Sequence, residues 1–175
     1  MIRILAFTAL VLTTACVGKP SLEDEKLSAR EFNLEEFFEG RVVAKGQFQD
    51  VFGAVRRRFD VTIDGTWDGQ TLRLVEDFIY EDGSEEQRIW TLNKTGPQTW
   101  IGSAPGVIGE AKGEERGDTF NWRYTIDLPV PDGTLRVSFD DWMWQLGEDR
   151  VLNRAYMKKY GADIGEVIIT FEKQS

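Results

Sequence analysis

The stretch Phe120-Asn-Trp-Arg-Tyr-Thr-Ile-Asp127 sets a large apolar side chain at every second position and a polar one between. A period of two belongs to a β-strand with one face on a core and the other in water. Pro129 to Gly133 break the run, and Leu135, Val137 and Phe139 restart the alternation on the way into Asp140-Asp-Trp-Met-Trp144. Two alternating runs around a Pro/Gly break predict a β-hairpin.

Outward from this hairpin the pattern recurs. Phe59, Val61 and Ile63 alternate with Asp60, Thr62 and Asp64. Leu72, Leu74, Phe78 and Tyr80 share one phase and stop at Asp82-Gly83, and Arg88, Trp90 and Leu92 follow. Arg41 to Gln49, Trp100 to Ser103, Val107 to Lys112, Val151 to Lys158 and Glu166 to Phe171 complete the series. No segment keeps a 3.6-residue apolar period beyond about two turns. Sequential short strands with tight turns predict an all-β fold, an up-and-down antiparallel barrel of about 8–10 strands, which leaves no open sheet edge. A two-sheet sandwich is the competing architecture. A barrel of this size has room for one small ligand.

Composition narrows the chemistry. The 175 residues suffice for one domain with its own core. The chain has 30 acidic and 21 basic side chains, a formal charge of −9, which argues against a nucleic-acid partner. It has no histidine, which excludes Ser-His-Asp triads, Cys-His dyads and histidine zinc sites. It has no phosphate-binding glycine loop of either common pattern. No metal, no cofactor and no catalytic residue are therefore expected.

The only cysteine, Cys16, ends a segment with a secretory character. Met1 and Arg3 begin it, Ile4 to Leu12 are apolar, and small residues lead to Ala15. The run is too short to span a bilayer, which takes about 20 residues. Its end resembles the lipobox of bacterial lipoproteins, although Thr13 stands where such boxes usually carry Leu. The expected organisation is a signal peptide over 1–15, a lipidated tether over 16–36 and a β-barrel domain over 37–175. Leu34, Phe37 and Phe38 would begin a packed body, on a short helical or extended leader. Val17 rather than Asp after the cysteine points to the periplasmic face of the outer membrane, with the acyl chains on Cys16 as the membrane partner.

Glu76-Asp-Phe-Ile-Tyr-Glu-Asp-Gly83, Arg88-Ile-Trp90, Trp122-Arg-Tyr124, Phe139-Asp-Asp-Trp-Met143 and Leu152-Asn-Arg-Ala-Tyr-Met157 occur in this order. On these motifs the chain, from Phe37 to Phe171, resembles the domain of unknown function 3833 family of proteobacterial lipoproteins. The resemblance implies a lipocalin-like β-barrel behind a lipoprotein signal. It carries over no catalytic residues.

Several charged residues fall in apolar phases. Glu76 shares its face with Leu74 and Phe78, and Arg88 with Trp90 and Leu92. Asp141 is in phase with Phe139 and Met143, and Arg154 with Leu152. Buried charge without a partner costs several kcal/mol per ion, so Glu76, Arg88, Asp141 and Arg154 are candidates for a buried ion-pair network. An arginine also pairs bidentately with a carboxylate or phosphate head. Arg88, Trp90, Trp122, Arg123, Tyr124, Trp142 and Arg154 are thus the candidate ligand-binding residues. Trp142 and Trp144 share one face, at a pocket mouth or a membrane interface.

The function these readings favour is an envelope lipoprotein, not an enzyme, that holds a fatty acyl or other hydrophobic ligand in its barrel. One alternative is a partner-binding lipoprotein with a filled barrel, its protein partner unknown. Another is a small lipid-acting hydrolase or isomerase that uses buried carboxylates.

Overall fold

A computed structural model describes residues 18–26, 28–130 and 133–175; Cys16 and the expected signal segment lie outside them. One short helix, α1 (Leu34–Phe38), precedes ten strands: β1 (Gly40–Asp50), β2 (Val55–Trp67), β3 (Thr71–Tyr80), β4 (Glu85–Gly96), β5 (Thr99–Ser103), β6 (Ala111–Arg116), β7 (Thr119–Val130), β8 (Gly133–Gln145), β9 (Arg150–Lys159) and β10 (Ala162–Lys173). Each strand pairs antiparallel with the next, and β1 pairs with β10 through Ala44 and Phe171, so the sheet closes into a barrel. The hairpin predicted over Phe120 to Trp144 is β7–β8, with Trp122 opposite Asp141 and Ile126 opposite Val137.

Alternation turns Val42, Val61, Ile63, Leu72, Leu74, Trp90, Leu92, Phe120 and Trp122 into the barrel, where all are buried. Full burial of an aliphatic or aromatic side chain of this size contributes about 1.5–3 kcal/mol. The expected strand over Val107 to Lys112 is only partly present. Gly106 and Gly109 have φ of +85° and +72°, a backbone that extended strands do not use. Val107 keeps a single bridge to Ile126, and β6 starts at Ala111.

The short strands β5 and β6 face the largest side chains of β4 and β7. A Cβ on Gly102 or Gly113 would come within 2.8 or 2.6 Å of the Trp122 ring. The indole thus lies on bare backbone. Trp90 meets Trp122 at 5.7 Å and Tyr124 at 5.1 Å between ring centroids. This side of the barrel is solid, and the free space lies toward the other strands.

α1 plugs one end. Phe38 packs edge-on against Phe171 at 5.5 Å. Glu115, buried on β6, accepts hydrogen bonds from the Leu34 amide at 2.9 Å and the Trp100 indole at 3.0 Å. At the far end of the helix Lys173 donates to the carbonyls of Phe37 at 3.2 Å and Glu39 at 2.8 Å. A carboxylate at the start of α1 and an ammonium at its end both suit the helix dipole. We predict that Glu115→Ala lowers stability by about 2–3 kcal/mol, because it orphans two buried donors. A urea melt checks this; a loss under about 0.5 kcal/mol would show that α1 does not depend on this carboxylate.

The segment expected to be a free tether lies along the outer wall in its described part. Phe32 is buried, and its amide donates to the Gly117 carbonyl at 2.6 Å. Lys26 donates to Thr119, Glu23 pairs with Arg116, and Lys19 pairs with Asp163 at 2.6 Å. Between these contacts Thr119, Asn121 and Trp142 point outward yet are 1–3% exposed. The leader runs from the plugged end, at Gly117, to the opposite end, at Asp163.

Candidate functional site

The barrel encloses a cavity of about 330 Å3 whose wall comes from β1 to β4 and β7 to β10, with no residue of β5 or β6. Its floor is Leu34, Phe38, Leu92 and Phe171. Its mouth lies at the end away from α1, between the β1–β2 and β7–β8 hairpins, beside Phe48, Arg57, Leu128 and Val130. The volume is at the lower end of the range of about 300–1,000 Å3 that holds a small molecule. Two larger hollows, of about 550 and 630 Å3, lie on the outer wall near Lys45 and Asp60 and near Lys112 and Arg123. Both are open to solvent and bordered by polar side chains, so the interior cavity is the stronger site.

A polar belt crosses the apolar cavity. Glu76 and Arg88 stand directly opposite each other on β3 and β4. The Arg88 guanidinium reaches Glu86 at 2.6 Å and lies 5.1 Å from the Phe78 ring. Burial works against its charge, but Glu76, Tyr124 and Glu86 outweigh that and hold Arg88 protonated. Burial pushes the Glu76 carboxyl up to about 7, with Arg88 opposing and Glu86 adding. Across the cavity burial also pushes Asp141 up to about 7, against a hydrogen bond from Asn153, while Glu76 and Asp140 add to the rise. Burial raises Tyr124 far above the ordinary tyrosine range, reinforced by Asp141. Nearer the mouth Tyr80 donates to Glu86 at 2.8 Å and carries the Arg57 guanidinium 3.3 Å above its ring.

Of the candidate ligand-binding residues, Arg88, Trp90, Trp122 and Tyr124 line this cavity. Arg123, Trp142 and Arg154 do not, because strand alternation turns them outward. Arg123 is exposed and 3.4 Å from Asp140. Trp142 is buried on the outer face of β8, stacked on Trp144 at 6.5 Å, at neither a pocket mouth nor an exposed surface. Arg154 pairs with Glu166 at 2.6 Å on the outer wall. The expected four-residue ion-pair network does not form: Arg88 pairs with Glu86 instead, and Glu76 faces Arg88 only across the strand register. Asp141 is satisfied instead by Asn153, which also donates to the Trp142 carbonyl at 3.0 Å.

Asn153, Glu86, Tyr80 and Arg57 also line the cavity, with no signal in the sequence that marks them as a site. Asn153 shares its phase with Val151, Ala155 and Met157, which marks it as interior, but it stands beside the more conspicuous Arg154. Among the described residues no cluster of three or more His, Cys, Asp or Glu is placed to hold a metal. No helix among them is long and apolar enough to cross a membrane. The arrangement suits one amphipathic molecule, its chain against aromatic walls and its head among Arg88, Glu76 and Asp141.

Comparison with known proteins adds three findings. Over residues 10–173 the chain matches the family described as Protein of unknown function (DUF3833). No curated protein matches it. Among solved structures it is similar to the S-type phycobiliprotein lyase CPES from Guillardia theta, at a TM-score of 0.60 and 11% identity, over 82% of this chain and 94% of that one. It is also similar to EF1p2_mFAP2b bound to DFHBI, at a TM-score of 0.45 and 10% identity, over 79% of this chain and 95% of that one. At 11% identity the likeness to the lyase is one of fold.

Proposed function

This chain belongs to the DUF3833 family, and from its interior we propose that it binds one hydrophobic small molecule, of the fatty acyl type, inside the barrel. The observation that carries the reading is the hollow, aromatic-walled interior with Arg88 set among its carboxyls. An ionised fatty acid head would pair with Arg88 by charge-assisted hydrogen bonds, and Trp90, Trp122 and Phe78 would face the chain. The likeness to the Guillardia theta lyase supports the barrel and no more. The filled-barrel alternative has a 330 Å3 void against it. We further infer that Cys16 carries acyl chains at the bacterial envelope, facing the periplasm at the outer membrane, which would place the barrel beside a source of such ligands.

The test is a titration with dodecanoate, read by tryptophan emission, since Trp90 and Trp122 both border the cavity. We expect saturable one-to-one binding, weakened at least about tenfold by Arg88→Gln, the loss of about 1.4 kcal/mol. The reading fails if dodecanoate does not saturate and no lipid accompanies the protein purified from envelopes.

A second reading has one observation of its own. Glu76 and Asp141 both titrate near 7 in the same cavity, the range in which carboxyls serve as acid and base. If they act on a bound lipid, Glu76→Gln abolishes turnover and spares affinity. In the binding reading it changes affinity and its pH dependence.

A further inference from the structure

The two ends of the barrel expose different surfaces. The β1–β2 turn carries Phe52, 91% exposed, with Val51 beside it. The β9–β10 turn carries Tyr160, 98% exposed and held at φ +52°. These tips are neighbours, because Asp50 pairs with Gly165. Val130 at the β7–β8 tip and Ile108 in the β5–β6 connection complete an apolar rim around the mouth. Toward the plugged end the only exposed large apolar side chains among the described residues are Leu146, at 59%, and Val43, at 37% on the wall.

The rim charges are largely paired with one another. Arg56 meets Asp50 at 2.5 Å, Arg57 lies 3.8 Å from Asp82, and Arg58 lies 3.6 Å from Glu81. Lys158 and Lys159 on β9 face Asp163 and Ala162 of β10. The rim therefore has little net charge, and its apolar tips set its preference. Aromatic and aliphatic tips of this kind favour the headgroup boundary of a bilayer.

The course of the chain agrees. Lys19 pairs with Asp163 and sits 4.7 Å above the Tyr156 ring, so the leader leaves the barrel at the mouth. Cys16 is three residues further on, within about 11 Å even if fully extended. An anchor there would draw the mouth, and not the plug, toward lipid.

We propose that the mouth of the barrel docks on a phospholipid bilayer, with Phe52, Tyr160 and Val130 in the interfacial layer and the cavity opening toward the lipid. The direction of approach rests in part on the Cys16 anchor read above. It does not depend on the ligand, since a barrel that bound nothing would dock in the same way.

The test exploits the lone cysteine. Full-length chains carrying C16S with F52C, Y160C or L146C each hold one thiol, labelled with an environment-sensitive fluorophore. The apolar run from Ile4 to Leu12 then replaces the acyl chains as the attachment. With vesicles of phosphatidylethanolamine and a minor fraction of phosphatidylglycerol, emission at 52 and 160 should shift to the blue and rise at least about threefold. Spin-labelled lipid should quench both, while 146 stays unchanged. Silence at 52 and 160, or a response at 146 equal to theirs, overturns the proposal. So does a blue shift at 52 that grows with protein concentration in the absence of lipid, which would make the mouth a contact between two copies. Dodecanoate binding measured on the same chains separates a failure of docking from a failure of the ligand reading.

Discussion

Gly65→Ala is expected to unseat α1 and cost about 3 kcal/mol or more, one of the largest losses available to a single methyl group here. A Cβ at this position would stand 1.8 Å from the carbonyl oxygen of Phe38 and 3.2 Å from a Leu74 methyl. The first of these is backbone at the end of α1 and cannot rotate away. The helix must shift, and with it the contacts of Phe38 with Phe171 and of Phe37 with Phe32. For a chain of this size the melting temperature should fall by about 6–12 °C. Gly147→Ala is the control, since its nearest neighbour is a flexible Asp149 oxygen at 3.4 Å. Calorimetry on both variants decides the matter. A fall below about 1 kcal/mol for Gly65→Ala would mean that the plug sits loosely and contributes little to the fold.

The second large effect is a gain. Glu76→Gln is expected to stabilise the protein by about 2–3 kcal/mol at pH 8 and by little at pH 4.5. An unfolded Glu loses its proton near 4.5, whereas burial holds that of Glu76 to about 7. Between those values the folded state binds more protons than the unfolded one, so stability falls as pH rises through the window and levels off above it. Asp141 acts in the same sense between about 4 and about 7. Asp141→Asn should therefore also stabilise at pH 8, and it keeps an oxygen for Asn153. The exposed carboxylates that pair with arginine, such as Asp64 with Arg41 and Asp127 with Arg136, titrate below their ordinary range and act at lower pH. Urea midpoints at the two pH values provide the measurement. If the unmodified chain gains stability between pH 5 and 7, Glu76 and Asp141 are ionised in the fold and the prediction is wrong.

Much of the fold is visible in the sequence because each hairpin writes its own period of two. Glu76 and Arg88 were legible for the same reason, since both interrupt an otherwise apolar phase of adjacent strands. On β8 and β9 the period does not decide which phase is inside. Both faces there carry large apolar residues, Phe139 and Met157 on the inner one and Trp142 and Leu152 on the outer one, so Trp142 and Arg154 read like interior residues. β6 is nearly invisible in the sequence. Ala111-Lys-Gly-Glu-Glu-Arg116 has no large apolar side chain, because Trp122 and Phe120 from β7 fill the space in front of it. Glu115 looks like a surface residue until α1 and Trp100 are placed against it.

The leader also has a mechanical meaning. It is fastened near the mouth by Lys19 and Asp163, and toward the plugged end by Glu23 with Arg116, Lys26 with Thr119 and Phe32 with Gly117. Tension applied at the N-terminal end of the leader would load these fastenings one after another, so the strap peels instead of shearing as a unit. The last link before α1 is Phe32, stacked on Phe120 at 6.0 Å. A pull strong enough to free it would tug next at the plug itself, turning a closed cup into an open tube.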